Sequence, residues 1–517
     1  MGERTVHDRR WWILGTMVLS MLVVVLDNTI LNVALKTIQQ DLHATQSQLE
    51  WAVNSYSLVF AGLLFTYGVL GDRYGRKRFL VLGLAIFGVA SAMSAFSPSP
   101  GWLIAGRALM GIGGAAVLPS TLSIISNVFE PAERGRAIAI WAGATGIAIA
   151  LGPITGGALL AHFWWGSVFL INVPVVLLGI ASILWLVPES KDPSPQQLDP
   201  LGVVLSIVGL VGLVYGIIKG GQTTQWGSAD VLVPLVGGVV VLALFVLVER
   251  RSSHPALDVT LFKNPAFSAA SAATTLTFFA LFGATFFLSF YLQYARGYTA
   301  LEAGVRLLPV ALSIMFFAPR SATLVQRFGA KRVCSTGLLL IAMSFAGYLF
   351  VDAGTNIWWV ELLLLLQGTG VANVMAPATE SIMSTLPRER AGSGSSVNNT
   401  VRQVGGALGV AVLGSVLSAS YRSHVEGALR GLPAAARDAA AESIGGLQLV
   451  AERLPAAARG QLLTAGQGAF IDAMHATALG SALVALLGSV VVAIWLPGKA
   501  GAPAYDVPEP VREPVAA

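Results

Sequence analysis

Residues 72–78 read DRYGRKR and residues 326–332 read QRFGAKR, an offset of 254 positions. Four of the seven residues are identical, and Tyr74 is matched by Phe328. A single basic turn with a glycine is commonplace. Two in register, each between one long apolar run and the next, point to a duplicated set of helices. Secondary transporters are built on that plan, with the substrate site between the halves near the membrane midplane.

Apolar runs of membrane-spanning length recur on both sides of these turns. Fourteen spans are expected, at 11–35, 48–70, 79–97, 101–125, 136–160, 166–187, 201–218, 231–248, 267–293, 301–319, 332–351, 357–379, 396–419 and 472–496. The first run is too long for a signal-peptide core and has no small-residue cleavage site behind it, so it reads as a retained span. The repeat then makes the seventh and eighth spans an inserted pair between two six-helix bundles. The expected fold class is an all-α polytopic membrane protein. Its units are 1–190 (first bundle), 191–266 (linker with the inserted pair), 267–499 (second bundle) and 500–517 (tail).

Charge positions test the count. With the N-terminus in the cytoplasm, twenty-one Lys and Arg fall on that side, and only Lys36, Lys219 and Arg296 fall in the short loops opposite. That asymmetry is what the positive-inside rule demands, and a lost helix would scramble it. Both termini are therefore expected in the cytoplasm and the chain in the cytoplasmic membrane. The long external segment 420–471 is Ala-rich and divided by Pro433 and Pro455. Short amphipathic helices on the outer face are expected there, with a substrate-capturing lid as the alternative.

Composition agrees. The chain has 517 residues, 55% apolar and 11% charged, with a mean hydropathy of +0.71, where soluble domains carry about 25% charged residues. An outer-membrane barrel would read as short alternating segments instead. The lone Cys334 excludes an intrachain disulfide, a cysteine-only zinc site and an iron–sulfur centre. No GxxxxGK[ST], HExxH, GxSxG or cysteine–histidine cluster occurs. Neither enzyme chemistry nor a cofactor, metal or nucleic-acid partner is expected, which leaves an ion gradient as the energy source.

GVLGDRYGRKRFL (68–80) resembles the signature loop of the major facilitator superfamily between helices two and three. LIAGRALMGIGGAA (103–116) is similar to its fourth-helix motif, and GIAIALGPITGG (146–157) to the fifth-helix motif associated with antiporters. VVLDNTILNVAL (24–35), FLINVP (169–174), YLQYARGYTALEAGVRLLP (291–309) and NNTVRQVGGALGVAVLGS (398–415) resemble motifs of the fourteen-helix branch, the drug:proton antiporters. The likeness covers nearly the whole chain. It departs at Lys36, where that branch usually has proline, and at Gln326, which stands where the first repeat has Asp72. It implies efflux of lipophilic, often cationic drugs or of a host-made natural product, and a chain that works as a monomer in the bilayer.

Asp27 lies mid-span, where a carboxylate costs about 2.5–3.5 kcal/mol on insertion scales. It sits roughly 12 Å below the outer end of its helix, and Arg107 roughly 9 Å below the same surface on helix four. In the resembled fold both helices line the central cavity, so the two charges come within reach. Asp27 is then the proton carrier that a substrate displaces, with Arg107 tuning it; the alternative is a static ion pair that orients two helices. Glu361, beside Trp358 and Trp359, is a second proton candidate, its shallow depth fitting a snorkelling interfacial residue better.

Gly71, Asp72, Arg73, Gly75, Arg76 and Lys77 form the loop that, by resemblance, latches the halves; topology anchoring is the plainer reading. Gly152, Pro153, Gly156 and Gly157 suit a kinked, close-packed and dry outer region, with ordinary helix packing as the alternative. Phe282, Phe286 and Phe290 share one face of helix nine with Phe279 and Tyr294 and could stack planar cations, although lipid contact explains them equally. Asn28, Asn32, Asn54, Tyr56 and Gln293 are further substrate-site candidates. Asp472 is expected to open the last helix. An uptake symporter and a lipid or envelope-precursor translocator remain the rival functions.

Overall fold

The computed structural model describes residues 3–191, 199–252, 255, 259–385 and 391–497. Among these, eighteen α-helices and no strand occur. They are α1 (Glu3–Leu42), α2 (Gln46–Tyr74), α3 (Arg76–Ala95), α4 (Pro100–Val128), α5 (Pro131–His162), α6 (Ser167–Leu170) and α7 (Asn172–Leu186). There follow α8 (Pro200–Thr223), α9 (Ala229–Arg251), α10 (Pro265–Phe290), α11 (Ala300–Arg306), α12 (Leu308–Phe328) and α13 (Ala330–Tyr348). Then come α14 (Ile357–Ser384), α15 (Ala391–Val425), α16 (Ala434–Glu442), α17 (Ile444–Ala451) and α18 (Ala456–Trp495).

Eleven helical stretches among the described residues are long and apolar enough to cross a membrane. The expected spans at 48–70, 136–160 and 332–351 are also helical, as α2, α5 and α13, but are not among the eleven. α2 opens with Gln46, Gln48 and Glu50, and α13 has Lys331 and Arg332 in its first turn. The tail 500–517 lies outside the described residues.

Local chemistry sets the helix ends. Thr45 and Gln48 form a capping box that starts α2, as Thr299 and Glu302 do for α11. Ser99 before Pro100 and Asn264 before Pro265 cap α4 and α10. Both repeated turns bend at glycine: Gly75 has φ of 124° between α2 and α3, and Gly329 has φ of 83° between α12 and α13. Side chains rarely adopt that backbone region, so each copy of the repeat needs its glycine.

Packing repeats at the same offset. A Cβ on Gly83 of α3 would lie 2.6 Å from the Ala116 side chain and 2.8 Å from the Gly113 carbonyl of α4. Gly337, 254 residues on, would meet the Gly370 carbonyl of α14 at 2.8 Å, and Gly370 stands 254 residues after Ala116. Small residues let these helix pairs approach closely where lipid offers no hydrophobic drive for association. α8 and α9 pack on each other, and α8 also packs on α2 and α15. The free face of α9 exposes Val233, Val236, Val240 and Leu247, and α18 exposes Leu483 and Leu487. Apolar surface that extensive belongs against lipid rather than water.

Two expectations are corrected. The last helix begins at Ala456, sixteen residues before Asp472, so Asp472 stands exposed in mid-helix and caps nothing. Pro455 sets the start, and the alanines after it are the strongest helix formers. The first helix is also longer than 11–35, continuing through Lys36 to Leu42. The segment 420–471 supplies the end of α15, then α16, α17 and the start of α18. These make a cap over the end of the bundle where α1 and α8 finish, opposite the start of α1 and the 72–78 turn.

Candidate functional site

Asp27 and Arg107 meet. Both side chains are fully buried, and Arg107 Nη1 donates to Asp27 Oδ2 in an ion pair between α1 and α4. The other carboxylate oxygen is also held: Asn172 Nδ2, at the start of α7, donates to Asp27 Oδ1 at 2.9 Å and to Ser91 Oγ at 3.0 Å. Ser91 in turn donates to the Phe169 carbonyl at 2.8 Å. Arg107 Nε donates to the Ala52 carbonyl of α2 at 3.1 Å, and its guanidinium lies 4.4 Å from the Tyr56 ring centroid. One charged group thus gathers α1, α2, α3, α4 and α7. Arg107 Nη2 and the Tyr56 hydroxyl have no partner among the described residues.

A buried pair gains from mutual attraction only if the remaining hydrogen-bonding capacity is met. Asp27 satisfies that; Arg107 has one nitrogen to spare. The carboxylate can lose its charge by taking a proton, and Arg107 would then be free to bond elsewhere. Asn172 was not among the expected site residues, although it lies inside the FLINVP stretch.

The 71–77 loop docks on the end of α7. Lys77 N donates to Glu189 Oε1 at 3.1 Å, Arg76 N to the Ser190 carbonyl at 3.0 Å, and Lys77 Nζ to the Leu184 carbonyl at 3.0 Å. Arg78 Nε stands 3.6 Å from Glu189 Oε2. Lys77 thus caps a helix C-terminus, where cations are favourable. Glu189, the acceptor at the centre, is a residue the sequence reading did not single out. Gly71 is buried, and a Cβ there would lie 3.6 Å from Ser120 Oγ of α4. Arg73 stacks on Tyr74 at 5.5 Å. The side chain of Asp72 lies outside the described residues.

The glycines of α5 sit at the cap end against two other helices. A Cβ at Gly152 would collide with Thr29 of α1, and one at Gly156 would lie 2.8 Å from Ile30 Cγ1. At Gly157 it would lie 2.5 Å from Leu301 Cα of α11, while Gly304 of α11 packs on the Pro153 carbonyl. Lys36 Nζ donates to the Gln293 carbonyl at 2.9 Å and lies 4.7 Å from the Tyr294 ring, while Gln293 Nε2 donates to the Val33 carbonyl at 3.1 Å. Gln293 therefore joins α1 to the turn Tyr291–Ala295 that follows α10.

Phe286 and Phe290 are buried, with ring centroids 5.3 Å apart, and Phe290 stacks on Tyr294 at 5.9 Å; Phe282 is half-buried against Gly406. Asn54 is buried with neither amide atom partnered among the described residues, and Asn28 Oδ1 is likewise without a partner. Asn32 Nδ2 donates to the Asn28 carbonyl at 3.3 Å. Glu361 pairs with Arg306, its side chain 13% exposed and the arginine 34%.

Residues 17–410 match the Major Facilitator Superfamily. The chain belongs to that superfamily. It is 38% identical to the multidrug efflux pump LfrA of Mycolicibacterium smegmatis over 94% of this chain and 96% of that protein. It is 35% identical to the methyl viologen resistance protein SmvA of Salmonella typhimurium, over 94% and 98%. It is 36% identical to the tetracenomycin C resistance and export protein of Streptomyces glaucescens, over 80% and 77%. Among solved structures, this superfamily member resembles an inward-facing bacterial homologue of the human lysosomal transporter Spinster. The TM-score is 0.63 at 19% identity, over 93% of this chain and 97% of that one. That likeness speaks for the fold alone.

Proposed function

We propose that this chain is a proton-coupled exporter of lipophilic, often cationic small molecules, drugs or a host-made natural product, acting across the cytoplasmic membrane by alternating access. The observation that carries the reading is the buried Asp27–Arg107 pair with Asn172 on its second oxygen. Ionisable groups at that depth are functional by default. The relatives' names, which include multidrug efflux and methyl viologen resistance, support an export direction and a cationic substrate.

Fourteen spans in two six-helix bundles with α8 and α9 inserted, and both termini in the cytoplasm, complete the proposal. The cap end then faces outward and the 72–78 loop inward. Protons arrive from outside, neutralise Asp27 and release its hold on Arg107; the freed guanidinium lets α1 and α4 rearrange. On the inner side Asp27 gives up the proton and substrate takes its place. Asn54, Tyr56 and Phe282 offer the polar and aromatic surface for it. The chain acts as a monomer.

Inside-out vesicles loaded by an imposed pH gradient test this with a fluorescent lipophilic cation. Uptake by the native chain should collapse without the gradient and fall at least about tenfold in Asp27→Asn, since tenfold corresponds to only about 1.4 kcal/mol of lost coupling. Gradient-driven uptake that persists in Asp27→Asn would refute Asp27 as the carrier. A lipid or envelope-precursor translocator predicts indifference to the substitution, and an uptake symporter predicts movement in the opposite direction.

A further inference from the structure

A second buried carboxylate lies at the cap end, and nothing described so far uses it. Glu50, in the second turn of α2, is 2% exposed. It makes no hydrogen bond or ion pair to any described residue. Its side chain presses on bare backbone of α15: a Cβ at Gly414 would lie 2.6 Å from Glu50 Oε1. It lines a small cavity under the cap together with Gln46, Gln222, Arg422 and Glu442. Gln46 is also buried, and its Nε2 has no partner among the described residues. An unsatisfied donor facing a carboxylate across a cavity marks a place built to hold a proton or water rather than filled apolar core.

Charge arithmetic then constrains the closed cap. Glu50 and Glu442 both line the cavity, with Arg422 of α15 the one cation among the described residues that do. Gln222 of α8 donates to Glu442 Oε1 at 3.3 Å. Burial pushes the Glu442 carboxyl up, against that bond, the Thr45 hydroxyl and the Arg422 charge. On the opposite face of α2, Arg107 bonds the Ala52 carbonyl but is neutralised by Asp27. One cation lining the cavity with two carboxylates, one of them buried, leaves a negative charge for a proton to neutralise.

We propose that Glu50 is a second proton-binding residue, a positioning group that makes closure of α2 onto α15 at the cap end depend on proton uptake from the outside. The inference rests on the transport reading for its biological sense, but not for its test. When α2 and α15 part, Glu50 reaches water and ionises; when they close on Gly414, it must carry a proton. The closed state holds more protons, so acid favours it, and closure favours proton binding by the same factor. In an antiporter driven from outside, that adds a check that a proton is aboard before the outer mouth shuts.

The test is a spin-label distance between Asp41→Cys on α1 and Ser423→Cys on α15, both exposed, in full-length protein with Cys334→Ala in lipid nanodiscs. No substrate is present, so a negative vesicle assay would not explain away the outcome. In an Asp27→Asn background the short-distance population should grow as pH falls from about 8 to about 5. With Glu50→Gln added it should stay short throughout, and Glu50→Asp should restore the response with a displaced midpoint. Should Glu50→Gln fail to fold, Glu442→Gln in the cap offers the second route. Removing that charge should move the midpoint to about tenfold higher proton concentration. A distance that ignores pH before Glu50 is changed, or that responds equally after Glu50→Gln, would overturn the proposal.

Discussion

Two ion pairs of the transporter each have one member at the offset of the repeat, and they differ in kind. Arg107 on α4 and Glu361 on α14 stand 254 residues apart, the offset of the two basic turns. One is a cation paired with Asp27, and the other is an anion paired with Arg306. The first pair is sealed, with Asn172, Ser91 and the Ala52 carbonyl arranged around it. The second is partly open to solvent, with the Tyr298 ring 5.8 Å from its guanidinium. The two positions stand at the repeat offset, yet the charges there differ in sign and in solvation. The expected functional consequence is asymmetry: the sealed pair does the coupling, and the rim pair fastens helices.

Substitutions can break or sharpen that contrast. Arg107→Ala should have the largest effect on stability, because it strands Asp27 without a cation; breaking one partner of a buried pair costs about 3–5 kcal/mol. Thermal unfolding of the purified protein should show the loss at neutral pH and a smaller one in acid, where the stranded carboxylate takes a proton. Adding Asp27→Asn should recover much of the deficit, since residues in one network do not act additively. Equal losses for Arg107→Ala and the double variant would mean that Arg107 matters through packing on Tyr56 instead.

Asn172→Ala should cost less, about 1–3 kcal/mol, the penalty of leaving buried acceptors without their donor. Its sharper signature is kinetic. Asp27 keeps its cation but loses the donor on Oδ1, so the pH at which vesicle transport is half-maximal should move while transport at the best pH persists. An unchanged pH profile would reduce Asn172 to a brace between α3 and α7.

Much of this is legible in the sequence. The offset of the basic turns announced the repeat, and counting residues from the helix ends put Asp27 and Arg107 at matching depth. What the sequence hid lies in contacts between distant segments. Glu189 follows α7 in an extended stretch with no periodicity, 112 residues from the Lys77 amide it accepts. Glu50 looks like an ordinary polar residue near a helix start until α15 and the cap close over it. Asp472 misled for a local reason: a carboxylate before an apolar run resembles an N-terminal cap, but Pro455 and the alanines behind it start the helix earlier. Solvation depends on which helices pack together, and one-dimensional spacing carries little of that.

The smallest effect belongs to Glu361→Gln. Its pair with Arg306 is partly exposed, and exposed pairs contribute about 0–1 kcal/mol, less in high salt. The glutamine keeps the shape and can still accept from Arg306, so unfolding should shift little and the shift should vanish at high ionic strength. Proton-driven uptake in vesicles should stay within about threefold of native, under 1 kcal/mol of lost coupling. The position makes this more than a control. If Glu361→Gln abolished gradient-driven uptake as Asp27→Asn is expected to do, the rim pair would carry a proton as well. The asymmetry argued from burial would then be wrong, and each copy of the repeat would contribute one coupling carboxylate.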